Sequence, residues 1–254
     1  MISVVILGSG NMAWHLYHAF KTCTDVRIIQ HYHYKKQDNL FKESGIPFTS
    51  DLQQLKPADF YILAINDDSI AEISAQLPVL QGIVLHTSGA VSIEALDKKN
   101  RTGVFYPLQT LTKSRPVDFS TIPVCIEAEK AKDLELIKVL ATKISKHIYT
   151  INSDQRRSLH LAAVFTNNFV NHLYQLAYEI CEEEGLQTQL LTALILETSQ
   201  KAIDVLPENA QTGPAKRGDF ETMKKHLEKL SGNHKTIYKT ISESILSTYG
   251  REKL

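Results

Sequence analysis

With 254 residues, the chain is long enough for one large domain or two modest ones; 28 basic residues balance 28 acidic ones, and 43% of residues are hydrophobic. The lack of a basic excess argues against nucleic acid as a partner, and no segment has the apolar length to cross a bilayer. The first residues run straight into a strand with no signal-peptide pattern, and three widely spaced cysteines (Cys23, Cys125, Cys181) point to reduced thiols in the cytoplasm.

Ile2 to Leu7 reads as a buried strand, followed without a gap by Gly8-Ser9-Gly10-Asn11-Met12-Ala13. That is G-x-G-x-x-A where a dinucleotide-binding βαβ unit needs it. Gly8 permits the tight turn, Gly10 admits a pyrophosphate to the backbone N–H groups, and Ala13 lets the helix pack on the strand. The helix, Met12 to about Lys21, points its positive end at the phosphates. Gly8, Ser9, Gly10, Asn11 and Met12 are therefore cofactor-binding candidates. The alternative is a glycine turn in some other α/β protein.

A second strand, Val26 to Gln30, is expected to show which dinucleotide is bound. NAD enzymes usually end this strand with an acid that accepts from the ribose hydroxyls. Here it ends in Gln30-His31-Tyr32-His33-Tyr34-Lys35-Lys36, with no carboxylate until Asp38. An acid would repel a 2′-phosphate, whereas His33, Lys35, Lys36 and the His31 imidazole suit one, so NADP (as NADPH) is favoured over NAD. A solvated basic loop is the competing reading.

Strands and helices then alternate: strand Phe60–Ile65, helix Ser69–Leu77, strand Gly82–His86, a short helix near Ser92–Leu96, strand Gly103–Tyr106, strand Ile122–Glu127, helix Lys130–Ile144 and strand His147–Thr150. This predicts an α/β protein of the Rossmann type, with a doubly wound, mostly parallel sheet. From Ser153 onward only helical periodicity remains. Ser153 is read as the N-cap of a helix reaching Glu184, and later helices span Thr188 to before Pro207, Asp219–Leu230 and His234–Tyr249. The expected division is a dinucleotide-binding domain over residues 1–151 and an all-helical domain over 152–254.

Ligands bind at the carboxyl ends of the strands in such a sheet. Three strand ends carry polar groups: Asn66-Asp67-Asp68 near a nicotinamide ribose, His86-Thr87-Ser88-Gly89, and Tyr106-Pro107-Leu108-Gln109-Thr110. Asn66 and Asp67 are cofactor candidates, and Ser88 a candidate for fixing substrate or nicotinamide; turn chemistry explains each singly. On the long helix, at 100° per residue, Asn167 and Asn171 lie about 20° to either side of His160, and Arg156 within roughly 40°. A polar, nearly uncharged stripe must find partners: an interhelical network, another subunit or a substrate. In the catalytic reading His160 donates a proton and Asn167 or Asn171 orients substrate. Arg217, in Gln211–Asp219, offers a planar fork for a carboxylate or phosphate, although the loop also reads as a turn with Asp219 as N-cap. None of the ten histidines has metal-ligand spacing, so no metal is expected.

The glycine string, Asp67-Asp68-Ser69-Ile70, His86 to Gly89, Gly103 to Thr110, Leu159 to Phe165, Asn168-Phe169 and the 211–219 loop together resemble a bacterial family of Rossmann-like proteins with a C-terminal helical domain of unknown function. Its layout is similar to pyrroline-5-carboxylate reductase and the 6-phosphogluconate dehydrogenase-like superfamily. The resemblance implies NADP binding, an active site between the domains, a small-molecule substrate, and a homodimer built through the helical domain. The 3-hydroxyacid dehydrogenases of that superfamily place a catalytic Lys on the long helix with Asn four residues on; here those positions are His160 and Val164. The expected function is thus an NADP-dependent oxidoreductase acting on a small carboxylate-bearing carbonyl or imine. The alternative is a non-catalytic NADP(H)-binding sensor or scaffold.

Overall fold

The computed structural model describes residues 1–35 and 41–251. Lys36 and Asp38, part of the segment after the second strand, lie outside the described residues. The chain divides into two compact units, Met1–Asn168 and Phe169–Leu254.

The first unit is built on a sheet of strands β1 (Ile2–Leu7), β2 (Val26–Tyr32), β3 (Phe48–Thr49), β4 (Phe60–Leu63), β5 (Ile83–His86), β6 (Arg101–Pro107), β7 (Val124–Ala128) and β8 (Ile148–Thr150). Their order is β3-β2-β1-β4-β5-β6-β7-β8. Every pair is parallel except β6–β7. The chain winds one way from β1 to β3 and the other way from β4 to β6. The crevice at the carboxyl ends of β1 and β4 is therefore a topological switch point. Val4, Val5, Ile6 and Leu7 have no exposed surface, as expected of a parallel strand covered on both faces. One face carries Val4, Ile6, Phe60 and Ile62 packed with α1 (Asn11–Lys21) and α3 (Ala131–Ala141); the other carries Val5, Leu7, Tyr61 and Leu63 packed with Ile70 of α2 (Ile70–Gln76).

The differences from the sequence reading are local. β2 runs two residues beyond Gln30, and the helix expected from Ser69 begins with a 3-10 turn, Asp67–Ser69. The long helix is α4 (Ser153–Ala163), a π-helical segment (Val164–Phe169) and α5 (Val170–Glu183). Its N-cap is Asn152, not Ser153: the Asn152 side chain accepts from the Gln155 N–H, and Gln155 accepts from the Asn152 N–H in return. Ser153 is occupied elsewhere, since its hydroxyl hydrogen-bonds Glu127 and accepts from the Ile93 N–H at 3.0 Å. These bonds tie α4 to the sheet, so the break in contacts falls after Asn168 although the pattern of elements changes at Asn152.

The second unit continues with α5, then α6 (Thr192–Asp204), α7 (Pro207–Ala210), α8 (Pro214–Arg217), α9 (Phe220–Lys229) and α10 (Gly232–Thr248). Its buried centre is small: Ala215, Met223 and Leu246, with Tyr238 and Ile245 packed beside them. α6 buries none of its residues.

Candidate functional site

Gly8 has φ +119°, and a Cβ there would stand 2.1 Å from the Ala64 carbonyl oxygen, so both backbone and neighbours demand glycine. Its N–H donates to the Tyr32 carbonyl (2.9 Å), and its own carbonyl accepts from Nε2 of the fully buried His31 (2.7 Å). His31, grouped above with the phosphate-binding imidazoles, instead props the turn from beneath. Gly10 is different. Its φ of −74° suits any residue, and a Cβ would meet nothing within 4 Å. Among the described residues no atom requires a glycine there; the room lies at the mouth of α1, where a phosphate would approach. Gly10 caps α1 without a side-chain hydrogen bond, and the first turn holds no acid. The early N–H groups of Asn11 and Met12 have no preceding turn to donate to, while the Met12 side chain packs against the core.

A cavity of about 380 Å³ opens beside this turn, lined by Gly8, Ser9, Gly10, Tyr32, His33, Tyr34, Asn66 and Ser69 among others. Nδ1 of His33 accepts from the Lys35 N–H (3.2 Å), and the Lys35 ammonium lies 5.3 Å from the centre of the exposed Tyr34 ring. His33 and Asn66 thus join the glycine turn around one cavity; Lys35 stands on its Tyr34 side, and Asp67 lies between the lining residues Asn66 and Ser69. The residues suit an adenosine diphosphate moiety: a π face in Tyr34, backbone N–H groups for the diphosphate, and the Lys35 ammonium beside the Tyr34 ring.

A second cavity, about 490 Å³, is lined by Tyr106, Gln109, Thr110, Leu159, His160, Ala163, Thr166, Asn167 and Asn168. The Tyr106 hydroxyl and Nδ1 of His160 are 3.2 Å apart. Burial pushes the Tyr106 phenol up to about 12, with the Cys125 thiol adding to the shift and Arg156 opposing it. The phenol therefore stays protonated at neutral pH. The end of β5 closes against the pair: a Cβ on Gly89 would lie 2.6 Å from Nδ1 of His160 and 2.7 Å from Cζ of Tyr106. Gly89 is thus a steric requirement of this contact.

Other candidates are placed differently. Ser88 is buried, and its oxygen accepts from the N–H groups of Ala90 (3.1 Å) and Val91 (3.0 Å), which makes it the closing residue of a turn. It does not line the cavity with His160. His86 is fully buried; burial, helped by Arg156, lowers its imidazole to about 3, so it is neutral, and Nδ1 accepts from the Ser88 N–H. Arg156 points away from solvent altogether: its guanidinium pairs with Glu127 and donates to the Val91 carbonyl at 2.5 Å. The π segment explains why a constant 100° projection fails beyond Ala163, since π turns take an extra residue. Asn167 still shares a cavity with His160, joined by Asn168, whereas Asn171 is an exposed residue of the second unit. Arg217, also in the second unit, is exposed and 3.9 Å from Asp219. Asp219 caps α9 by accepting from the Thr222 N–H (3.1 Å), and that hydrogen bond, foremost, holds its carboxyl below the usual range. Among the described residues no three His, Cys, Asp or Glu side chains are grouped to hold a metal ion, and no helix is long and apolar enough to cross a membrane.

A glycine turn at the switch point of a 3-2-1-4-5-6 sheet, followed by a helical unit, defines a Rossmann-type protein with a C-terminal helical domain. A family described as a domain of unknown function (DUF2520) matches residues 122–245, from the start of β7 into α10. A candidate NADP oxidoreductase from Bacteroides fragilis is 35% identical over 97% of this chain and 98% of its own, with a TM-score of 0.88. The chain belongs to this family. A Thermotoga maritima protein shares the fold at 22% identity and a TM-score of 0.79, covering 97% of this chain and 99% of that one. So does a pyrroline-5-carboxylate reductase from Coxiella burnetii, at 16% identity and a TM-score of 0.57, covering 98% and 97%. No curated protein matches the sequence.

Proposed function

We propose that this protein is an NADP-dependent oxidoreductase that reduces a small carbonyl or imine bearing a carboxylate. The observation that carries the reading is Gly10, whose missing side chain leaves open space at the mouth of α1, where a bound diphosphate would approach. The Bacteroides fragilis relative, similar along almost its whole length, supports a pyridine nucleotide. Pyrroline-5-carboxylate, the substrate in the Coxiella burnetii enzyme's name, is chemically a cyclic imine with a carboxylate.

A bound nicotinamide would supply hydride to the substrate carbon. The chain's part is to supply the balancing proton. A protonated Tyr106 hydroxyl donates to Nδ1 of His160, which keeps the imidazole proton on Nε2. His160 would then give that proton to the oxygen or nitrogen that hydride addition leaves electron-rich while its Nδ1 takes the Tyr106 proton, so that the imidazole ends neutral and the phenolate regains a proton from solvent. The amides of Asn167 and Asn168 orient the substrate in the same cavity. His33 and Lys35 would favour the 2′-phosphate of NADP over the bare ribose of NAD. The three free cysteines suit a reducing compartment such as the cytoplasm.

The test is a panel of small oxo acids and cyclic imino acids with NADPH carrying deuterium at C4. Loss of nicotinamide absorbance with deuterium in the product is the expected outcome. Tight NADPH binding with no transfer to any member would favour a sensor or scaffold instead.

The same reading includes a homodimer through the helical unit. α6 leaves Leu190, just before it, 69% exposed, and Leu194, Leu196 and Ile203 at 63%, 66% and 76%, an apolar surface that a second copy would cover. Light scattering is expected to give about twice the chain mass of 28.6 kDa, and Leu194→Glu to shift it toward one. A parent protein that runs as a monomer at micromolar concentration contradicts this.

A further inference from the structure

The segment after β6 reaches back to the glycine turn. Lys113 donates from Nζ to the Ser9 carbonyl at 2.8 Å. The contact is held in place rather than incidental. The Thr112 carbonyl accepts from Nε2 of the buried His15 on α1 (3.0 Å) and from the Arg115 N–H (2.9 Å), which closes a tight turn with Lys113 at its tip. An exposed ammonium is thereby kept at the backbone turn where the phosphates of a dinucleotide would seat.

Among the described residues the charge at that turn is otherwise poorly matched to its guest. A diphosphate brings about two negative charges, while the mouth of α1 offers the equivalent of about half a positive one. The exposed Asp67 and Asp68 lie between two residues lining the same cavity and oppose an anion further. Lys35 belongs to the segment after β2, at the Tyr34 side of the cavity, and not to the glycine turn.

We propose that Lys113 is a cofactor-binding residue: its ammonium leaves the Ser9 carbonyl and pairs with the diphosphate when the dinucleotide binds, with His15 as the positioning residue that holds its loop. This rests on the reading that the glycine turn takes a pyridine dinucleotide. A cation at the diphosphate serves NADPH and NADH alike, whereas a cation reading the 2′-phosphate serves NADPH alone.

The test is fluorescence titration of the full chain with NADPH and with NADH at low salt, comparing parent, Lys113→Met and Lys113→Arg. Lys113→Met is expected to raise both dissociation constants by a similar factor, about tenfold for one lost charge-assisted contact. Lys113→Arg should restore most of the loss. The side chain is exposed, so the variants should melt with the parent. Unchanged binding by Lys113→Met, or weakening of NADPH alone, overturns the assignment while leaving the dinucleotide reading intact. A parent that binds neither nucleotide overturns both.

Discussion

His160→Ala is expected to lower kcat by about 10²- to 10⁴-fold, the usual contribution of a positioned general acid. The dissociation constant for NADPH should hardly move, because His160 lines the cavity with Tyr106 and Asn167 and not the one beside the glycine turn. Tyr106→Phe should give a smaller loss of rate, since solvent can take over the proton supply at Nδ1 that the hydroxyl provides. The side chain of His160 is partly exposed, so truncation leaves no buried unpaired group beyond the Tyr106 hydroxyl. Turnover by His160→Ala at the parent rate would remove the residue from the chemistry.

Arg156→Met is expected to be the most destabilising single change in the first unit. Arg156 is completely buried, and its guanidinium pairs with Glu127, itself mostly shielded, while donating to the Val91 carbonyl and the Ser153 hydroxyl. Removing one member of a buried pair strands the other charge, at a cost of about 3–5 kcal/mol. In a protein of this size that lowers the thermal midpoint by on the order of 10 °C. Arg156→Met combined with Glu127→Gln should recover part of the loss, because no charge is then left alone. A midpoint within a degree of the parent for Arg156→Met would show that the pair does not hold α4 to the sheet.

Short-range forces make some features legible in the sequence, while contacts between residues distant in the chain decide the rest. Gly8, Gly10 and Ala13 were legible because a strand, a turn and a helix in immediate succession are local matters. The structure sharpens their reasons: Gly8 answers to the Ala64 carbonyl, and Gly10 to no atom among the described residues. The choice of N-cap was not legible. Asn152 and Ser153 are both good caps, and the decision came from Glu127 and Ile93, distant in sequence, which engage the Ser153 hydroxyl. The same reason hid Arg156, which the helical projection put near the polar stripe but the Glu127 carboxylate draws inward.

The stripe on the long helix shows where extrapolation stops. His160 and Asn167 do share a cavity, but the π segment breaks the constant step on which Asn171 depended. Its run of Thr166, Asn167 and Asn168 carries no sequence signal that separates it from ordinary helix. Tyr106 was visible as the end of a strand, yet its hydroxyl meets His160 across 54 residues of chain, a contact only the fold creates. Lys113, a lone lysine in a polar loop, has no pattern in the sequence; its meaning comes from the Ser9 carbonyl.

The most direct measurement is calorimetric titration of NADPH into the purified chain. A backbone cradle at the start of α1 predicts saturable heat with one nucleotide per chain, weaker for NADH, and lost when Gly10→Leu fills the space beside the turn. Absence of heat with both NADPH and NADH, or a Gly10→Leu variant that binds as the parent does, would contradict it.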